Sequence, residues 1–426
     1  MFLIKEGDGG SLVGMVQIAL KRAGFNPYLI DSIFGGRTKT AVIEFQKSRG
    51  LSPDGIVGKN TFLALRPFLA GYTDYTVKNG DTLYSIANKL GSTVALIENA
   101  NSNLSAYNLQ VGRKILVPFN FSLVPTNIAY SSLLTELICE GLEVRYPFIK
   151  AEIIGRSVKN SPIVMLKIGN GKNKVFFNAS HHANEWITTP MVLNFAEEYS
   201  KAITNAENIA GANAEIAFNN TTLYISPMVN PDGVDLVTGA IERDGEEYYD
   251  LLRLANNYPE IPFPSGWKAN INGVDLNLNY PAMWERAREE KYALGFTKPG
   301  PLNFVGFAPL DQPESKAVYN ISRNIMFDLT VSLHTQGEEI YWRFGEFQPK
   351  GGKEIGEKMA AVSGYTLTDP VEFQSYAGYK DWFIMTYLLP GYTVEAGRGV
   401  NPLPIEKFDE FYPPVRNILT VAISSF

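Results

Sequence analysis

The sequence predicts an α/β domain with a helix-covered sheet, preceded by a small three-helix domain and a strand–helix–helix–strand domain. Three observations support this prediction. Apolar residues recur at helical spacing over residues 7–70, and strand-like runs enclose two helical stretches over residues 75–119. From about residue 120 onward, short apolar strands alternate with helical stretches, which is typical of an α/β sheet. We therefore expect domains at residues 1–70, 74–119 and 120–426.

Within the first domain, glycine-containing turns separate three amphipathic helices. Leu12, Val16 and Leu20 share one helix face, and Phe45 and Leu65 mark the other two helices. This spacing predicts a compact three-helix domain.

The second domain begins with a short strand and a turn, after which Asp81 or Thr82 is expected to cap a helix. Helical stretches over residues 83–90 and 93–99 follow, and a strand over residues 114–119 closes the domain. A unit of this size is too small to be an enzyme core. Catalytic chemistry is therefore expected in the third domain.

Composition and charge exclude several classes of function. The 426 residues include 38 Lys and Arg against 44 Asp and Glu, a net charge of −6, so no basic excess indicates a nucleic-acid partner. The single cysteine, Cys139, lies in a helical stretch and excludes an intramolecular disulfide or a cysteine-based zinc site. No apolar run is long enough to predict a membrane span, and no signal-peptide pattern is visible at the N-terminus.

The chain contains three histidines, so any histidine chemistry must use His181, His182 or His334. His182 and Glu185 form an H-x-x-E pair directly after a strand, and His334 follows the apolar strand over residues 329–333. Ligands in open α/β sheets gather at the carboxyl ends of strands. A catalytic zinc site commonly uses two histidines and one glutamate and keeps one position open. The pattern therefore predicts one metal site at two strand ends.

Glu395 closes a third apolar strand and is the candidate general base of the same site. An acidic residue at the end of a buried strand is otherwise costly. Taken singly, these features also fit structural roles: the H-x-x-E pair and His334 as core residues, and Glu395 as an ion-pair partner. Their joint placement after three strands, in a chain poor in histidine, favours the functional interpretation.

Six motifs occur in order along residues 125–426. They are His182-Ala-Asn-Glu185-Trp186, Met228-Val-Asn230-Pro-Asp-Gly233, Gly273-Val-Asp-Leu-Asn277, Ser332-Leu-His334, Asp381-Trp382 and Thr393-Val-Glu395. In this order they resemble the zinc carboxypeptidase family. The resemblance implies a mixed sheet flanked by helices, one Zn²⁺ on His182, Glu185 and His334, and Glu395 as the base. It further suggests that His181 lines the substrate site without binding the metal.

Two positions around the third motif depart from the family. Exopeptidases of the family carry an arginine at the position of Leu278 that grips the terminal carboxylate of the substrate, and a leucine makes no bidentate contact. The resemblance implies that Asn277 and Leu278 bind substrate, but the leucine argues against a plain carboxypeptidase. Lys268 stands where the family has a carbonyl-polarising arginine, so it is the candidate partner of the developing oxyanion. A solvated surface lysine is the alternative.

The segment before the Asp381-Trp382 motif matches the part of the family that holds a mobile tyrosine and a specificity residue. Direct alignment puts Phe373 at the tyrosine position, and Tyr376 is the candidate substitute as a catalytic residue. Lys380 falls where the family sets side-chain specificity. A lysine there favours a substrate that carries a carboxylate.

The two N-terminal domains carry motif sets of their own. The first contains Val16-Gln17-Ile-Ala-Leu20, Asp31-Ser-Ile-Phe-Gly35, Ala41-Val-Ile-Glu-Phe-Gln46 and Asp54-Gly-Ile-Val-Gly58. It resembles peptidoglycan-binding three-helix domains. The second contains Tyr75-Thr-Val-Lys-Asn-Gly-Asp-Thr-Leu83 and Leu109-Gln-Val-Gly112 and resembles LysM domains, which bind glycans containing N-acetylglucosamine. The resemblances imply peptidoglycan as partner, both its glycan and its stem peptide, and plain structural domains are the alternative.

The whole chain looks like the bacterial γ-D-glutamyl-L-diamino acid endopeptidases, which cut the stem peptide of peptidoglycan. The expected reaction is zinc-dependent hydrolysis of the bond between γ-D-glutamate and meso-diaminopimelate or lysine. Two alternatives stay open: a metallocarboxypeptidase that removes C-terminal residues, and a catalytically inactive protein that binds the cell wall or the spore coat. The expected location is the cell wall or the spore, with retention in the cytoplasm until lysis as the other expectation.

Overall fold

The computed structural model describes residues 3–369 and 375–426. The helices are α1 (Ser11–Arg22), α2 (Gly36–Ser48), α3 (Lys59–Ala70), α4 (Leu83–Leu90), α5 (Val94–Ala100), α6 (Ser132–Arg145), α7 (Thr188–Asn205), α8 (Ala214–Asn220), α9 (Pro231–Val237), α10 (Glu246–Ala255), α11 (Trp284–Ala293), α12 (Pro313–Ile325), α13 (Gly352–Ser363), α14 (Tyr379–Tyr387) and α15 (Phe408–Ile423). The strands are β1 (Tyr72–Thr76), β2 (Lys114–Pro118), β3 (Ile149–Arg156), β4 (Pro162–Ile168), β5 (Asn173–Ala179), β6 (Asn208–Ile209), β7 (Ala212–Asn213), β8 (Thr221–Ser226), β9 (Leu329–His334), β10 (Glu339–Tyr341), β11 (Thr366–Thr368) and β12 (Gly391–Glu395). Short 3₁₀ helices lie at Ala183–Glu185, Leu276–Leu278 and Ile405–Lys407.

The chain divides into two compact units. The first contains the residues up to 128 together with 133–151, and the second contains 129–132 and 152–426. The expected domain boundaries at residues 70, 74 and 119 stay predictions. Within the described parts of the chain, no helix combines the length and the apolar character needed to cross a membrane.

Two buried glutamines fasten the three helices of the first domain in the same way. Gln17 on α1 donates to Asp31 Oδ1, and Gln46 on α2 donates to Asp54 Oδ1, both at 2.9 Å. Each aspartate opens a segment of the pattern D-x-I-x-G. The glutamine and aspartate are 14 residues apart in the first pair and 8 in the second. Because these separations differ, the sequence does not show that the two pairs are similar. The structure therefore reveals an approximate internal repeat, where the sequence shows no exact one.

The second small domain has the predicted strand–helix–helix–strand order. β1 and β2 pair antiparallel, and β1 begins at Tyr72, three residues before the expected strand. Thr82 is the N-cap of α4: its Oγ1 accepts from Ser85 N at 3.0 Å, and Ser85 Oγ accepts from Thr82 N at 2.9 Å. This reciprocal capping box satisfies two backbone donors at the start of the helix.

Helix α6 belongs to the first unit apart from its first residue, Ser132. Glu140 on this helix accepts hydrogen bonds from Arg66 on α3 and from Tyr72 on β1. Cys139 is buried on the same helix, as expected for a packing residue. The first unit therefore extends beyond the two small domains.

The second unit is built on a sheet in the order β11-β10-β12-β9-β5-β8-β4-β3. β12, β9, β5 and β8 run parallel to their neighbours in this series, whereas β10 pairs antiparallel with β12 and β4 with β8. The sheet is therefore mixed, as predicted. Every residue of β8 and β9 is buried, and successive side chains of a strand point to opposite faces, so both faces are covered at the centre of the sheet.

Candidate active site

Three neighbouring parallel strands bring the predicted metal and catalytic residues to one edge of the sheet. β5 pairs with β9, and β9 pairs with β12 so that His334 and Glu395, the last residues of these two strands, lie side by side. The 3₁₀ turn after β5 adds His182 and Glu185. Because the carboxyl ends of parallel strands meet at one edge, residues far apart in the sequence come together there.

His182, Glu185 and His334 form a buried cluster with their ligand atoms turned toward one another. His182 Nδ1 lies 2.9 Å from Glu185 Oε1 and 3.2 Å from His334 Nδ1. His334 Nδ1 lies 2.9 Å from Glu185 Oε2. Their side chains are almost fully removed from solvent. The three residues are positioned to bind one metal ion.

The donor set fits zinc. Zinc in a tetrahedral site binds imidazole nitrogen and carboxylate oxygen at about 2.0–2.2 Å, which sets neighbouring ligand atoms roughly 3.3 Å apart. The separations of 2.9–3.2 Å in the cluster are close to that spacing. Two histidines and one glutamate also leave a fourth position for the reaction.

Asp275 orients His182, a role not predicted from the sequence. Its Oδ1 lies 3.0 Å from His182 Nε2, and its Oδ2 accepts from Asn303 N at 3.3 Å. Burial by itself would raise the pKa of Asp275, but His182 and Lys268 outweigh burial and lower it. A carboxylate on the second ring nitrogen fixes the tautomer and orientation of a ligating histidine. The Gly273-Val-Asp motif contains this aspartate and is the signal that could have found it.

Lys268 lies inside the site and is not a solvated surface lysine. Its Nζ is 3.0 Å from Glu185 Oε1, and its side chain is 29% exposed. Burial by itself would lower the pKa of Lys268, but the carboxylates of Glu185 and Asp275 outweigh burial and raise it. The site therefore contains a permanent cation next to the ligand cluster.

Glu395 is partly buried beside His334. Burial, and then the negative charge of Glu185, raise the pKa of the Glu395 carboxyl to about 8. A zinc ion would lower this pKa again because it adds positive charge nearby. A carboxyl with a pKa near neutral is suited to accepting and returning a proton.

Glu395 also lines a cavity of about 260 Å³. The polar side chains of its wall include Asn277, Tyr341, Arg343, Lys380 and Asp381. Lys380 Nζ lies 2.5 Å from Asp381 Oδ1 and donates to the Arg343 carbonyl oxygen at 2.9 Å. The predicted specificity residue therefore shares a cavity with the candidate base, with its charge balanced by an adjacent carboxylate.

His181 lies elsewhere than expected. Its side chain is fully buried, and its Nε2 lies 2.9 Å from Tyr280 OH. Its ring packs 6.0 Å from the ring of His334, measured between centroids. A side chain without exposed surface does not contact substrate, so the structure corrects the expectation that His181 lines the substrate site.

Leu278 and Tyr376 are partly buried and pack against a cluster that includes Trp284. Tyr376 also meets Phe344 edge to face, with ring centroids 6.4 Å apart. Phe373, the directly aligned candidate for the tyrosine position, lies outside the described residues. The substrate contact of Leu278 and the catalytic role of Tyr376 stay predictions.

Three family models match separate parts of the chain. Residues 136–421 match the family model described as zinc carboxypeptidase. The chain belongs to the zinc carboxypeptidase family. Residues 9–65 match the model of a peptidoglycan binding domain, and residues 75–118 match that of the LysM domain. The predicted family and the two predicted modules are confirmed.

Relatives of this zinc carboxypeptidase family member include two bacterial proteins. Gamma-D-glutamyl-L-diamino acid endopeptidase 1 from Lysinibacillus sphaericus is 41% identical over 300 residues, which cover 70% of this chain and 72% of the relative. The uncharacterized protein YqgT from Bacillus subtilis (strain 168) is 41% identical over 280 residues, which cover 65% of this chain and 73% of that relative. The solved structure of bovine thrombin-activatable fibrinolysis inhibitor, in complex with tick carboxypeptidase inhibitor, is similar with a TM-score of 0.53 and 18% identity, covering 70% of this chain and 98% of that one. This last likeness shows the shared fold.

Proposed function

We propose that the chain is a zinc-dependent peptidoglycan hydrolase that cleaves the bond between γ-D-glutamate and meso-diaminopimelate or lysine in the wall stem peptide. The observation that carries the proposal is the combination, in one chain, of a buried His-Glu-His site with matches to peptidoglycan-binding and LysM modules. The relative from Lysinibacillus sphaericus is named as a γ-D-glutamyl-L-diamino acid endopeptidase, which supports the choice of bond.

The site residues divide the chemistry among them. A zinc ion held by His182, Glu185 and His334 would supply a Lewis acid that polarises a carbonyl group and makes water more acidic. Glu395 takes a proton from the attacking water and passes it to the leaving amine of the diamino acid. Lys268 stabilises the negative charge that develops on the carbonyl oxygen.

The substrate-binding residues favour an endopeptidase. Leu278 provides no cation for a terminal carboxylate, so the site does not require the scissile bond to be the last one of the peptide. Asn277 lines the cavity beside Glu395 and is assigned to substrate binding. We assign Tyr376 to the role of the family's mobile tyrosine.

The charged wall of the cavity supports a substrate with a charged side chain. Lys380 and Asp381 form a buried ion pair on this wall. The side chain of diaminopimelate ends in a carboxylate and an ammonium group, which complement a cation and an anion placed side by side. We assign Lys380 to the side-chain carboxylate of the substrate.

The N-terminal modules support action on an insoluble polymer. Their matches indicate association with the cell wall. A module that holds glycan raises the concentration of stem peptide near the catalytic site without any new contact there. We place the site of action at the cell wall or the spore.

The experiment that tests the proposal is a mass-spectrometric digest of L-Ala-γ-D-Glu-meso-diaminopimelate peptides by the zinc-loaded full chain, with Glu395→Gln as the matched variant. We expect wild-type protein to release L-Ala-D-Glu. The variant should be slower by about 10²–10⁴-fold, the usual contribution of a positioned acid–base group. Zinc content, measured in parallel, should be the same in both proteins because Glu395 is not a ligand.

The other outcomes point to the two alternatives. Release of only the C-terminal residue would identify a metallocarboxypeptidase and would remove the argument from Leu278. An intact peptide, together with a folded protein that binds no zinc, would identify a wall-binding protein without peptidase activity.

A further inference from the structure

One loop carries two side chains that contact the metal ligands from outside. Lys268 Nζ lies 3.0 Å from Glu185 Oε1, and Asp275 Oδ1 lies 3.0 Å from His182 Nε2. The two groups are seven residues apart in a segment without a regular helix or strand. Backbone hydrogen bonds hold the two ends of the loop: Lys268 N donates to the Pro301 carbonyl oxygen at 2.7 Å, and Asp275 N donates to that of Phe304 at 2.8 Å. The polar groups of the turn between these ends need partners as well, and side chains can supply them.

Asn270, between these two groups, is the centre of that loop. Its side chain is fully buried. Its Oδ1 accepts from the backbone N–H groups of Asn272 and Val274, both at 3.1 Å. Its Nδ2 donates to Gln312 Oε1 at 2.9 Å and to Glu314 Oε2 at 3.1 Å. All four hydrogen-bonding positions of the amide are used, so its orientation is determined by its partners.

The two acceptors belong to the start of helix α12, which anchors the loop. Gln312 is the N-cap residue of α12, and Glu314 lies in its first turn. Glu314 is fully buried, and its second oxygen, Oε1, accepts from Val158 N at 3.1 Å. The amide of Asn270 thus joins the turn at residues 270–274 to a fixed helix end.

We propose that Asn270 is a positioning residue: by fastening the 268–275 loop to α12, it holds Lys268 against Glu185 and Asp275 against His182. The part that concerns Lys268 rests on the proposed function, because it is measured as peptide hydrolysis. The part that concerns Asp275 does not, because it is measured as zinc affinity.

Asparagine is the side chain that this position requires. Aspartate has the same shape but no donors, and it would place a second carboxylate against Glu314 Oε2 while still accepting from Asn272 N and Val274 N. The change therefore removes both hydrogen bonds of residue 270 to α12 and keeps the local turn. The hydrogen bond from Asn272 Nδ2 to Gln312 Oε1, at 3.0 Å, remains. The double variant Asn270→Asp with Glu314→Gln places the amide at residue 314 and the carboxylate at residue 270. The hydrogen bond between the two residues can then form again, so the double variant should recover part of the zinc affinity and kcat that Asn270→Asp loses.

The test uses the full chain with Asn270→Asp, Glu314→Gln, the double variant, and Asn320→Asp as the matched control, an asparagine whose side chain is exposed on α12. Zinc affinity is measured by competition with a chelator. For Asn270→Asp we expect zinc affinity to fall about 10–100-fold, as for other residues that support a metal ligand. On the stem peptide, kcat should fall by a similar factor while KM changes little. Asn320→Asp should change neither quantity.

A purely structural role would give a different pattern. In a Lys268→Met background, Asn270→Asp should cause no further loss of kcat if it acts through Lys268, whereas an independent effect would add in full. Full additivity, or unchanged zinc affinity in Asn270→Asp, would overturn the proposal. If Asn270→Asp does not fold, Glu314→Gln alone is compared with the double variant. If zinc affinity and kcat are no higher in the double variant than in Glu314→Gln, the proposal is overturned. If wild-type protein leaves the stem peptide intact, the proposed function fails, and the zinc measurement still decides the contact through Asp275.

Discussion

At Glu185, nitrogen atoms from several parts of the chain converge on one buried carboxylate. Nδ1 of His182, Nδ1 of His334 and Nζ of Lys268 lie 2.9–3.0 Å from its oxygens, and Thr335 N donates from 3.2 Å. Burial by itself would raise the pKa of Glu185, but His182 and Lys268 hold it well below its ordinary value. Because a buried charge is costly unless it is paired, these contacts are what keep Glu185 ionised and ready to bind a cation.

Replacing Lys380 tests the proposed contact with a substrate carboxylate. Since Lys380→Met alone would leave Asp381 buried without its cation, it is combined with Asp381→Asn. The double variant should lose about tenfold or more in kcat/KM for the diaminopimelate stem peptide, because a hydrogen bond to a charged group contributes ~1.5–3 kcal/mol. Cleavage of the corresponding lysine peptide should fall no further than in Asp381→Asn alone, because the lysine side chain carries no carboxylate. Product release is quantified for both peptides, with Asp381→Asn alone as the control, and equal losses on both peptides would exclude this role of Lys380.

At the level of elements, the helices of the first domain need their loops to be fixed. α1, α2 and α3 have 12, 13 and 12 residues, and isolated helices of this length are marginal in water. Gln46 on α2 donates to the Ile56 carbonyl oxygen and accepts from Gly55 N, both at 2.9 Å. The buried glutamine thereby ties the loop between α2 and α3 to the helix that precedes it.

Gln46→Leu should destabilise this domain by about 1–3 kcal/mol, because it takes away the acceptor of the buried Gly55 N–H and one of the donors to the Ile56 carbonyl. Hydrogen exchange, followed by mass spectrometry over residues 55–65, measures the effect as faster exchange. Gln110→Leu is the control, since the Gln110 side chain is exposed. Unchanged protection in Gln46→Leu would show that helix packing alone holds the loop.

At the level of the whole molecule, the predicted metal ligands lie in one of the two compact units. The triad belongs to the second unit, as do Lys268 and Glu395. The matches to the peptidoglycan-binding and LysM modules fall in the first unit. Because a metal stabilises the structure that forms its site, zinc should act on one unit only.

Adding zinc to chelator-treated protein should therefore slow hydrogen exchange in the second unit and leave the first unchanged. At free zinc a hundredfold above its Kd, the stabilisation is about 2.7 kcal/mol, which slows exchange through unfolding roughly a hundredfold. His334→Phe removes one ligand and should abolish the response. Equal protection of both units would contradict this localisation of the metal.

The sequence by itself determined the order of domains, the helices of the two small domains, the strands that position the site, the family and the metal triad. These depend on local information: the period of apolar residues, turn residues, and motifs read along the chain. The helix cap, for example, is narrowed to Asp81 or Thr82 from the neighbouring residues alone, and the structure shows that it is Thr82. The strands that end at His334 and Glu395 are recognised from their apolar residues. The order of the family's motifs along the chain then relates both residues to His182.

Only the tertiary structure decided which side chains touch. Asp275 orients His182 from 93 residues away, and Lys268 meets Glu185 where its sequence equally allowed a surface position. His181, next to a ligand in sequence, is fully buried, with its ring 6.0 Å from that of His334. Such contacts depend on which strands and loops lie side by side, and that is a property of the folded sheet and not of any segment.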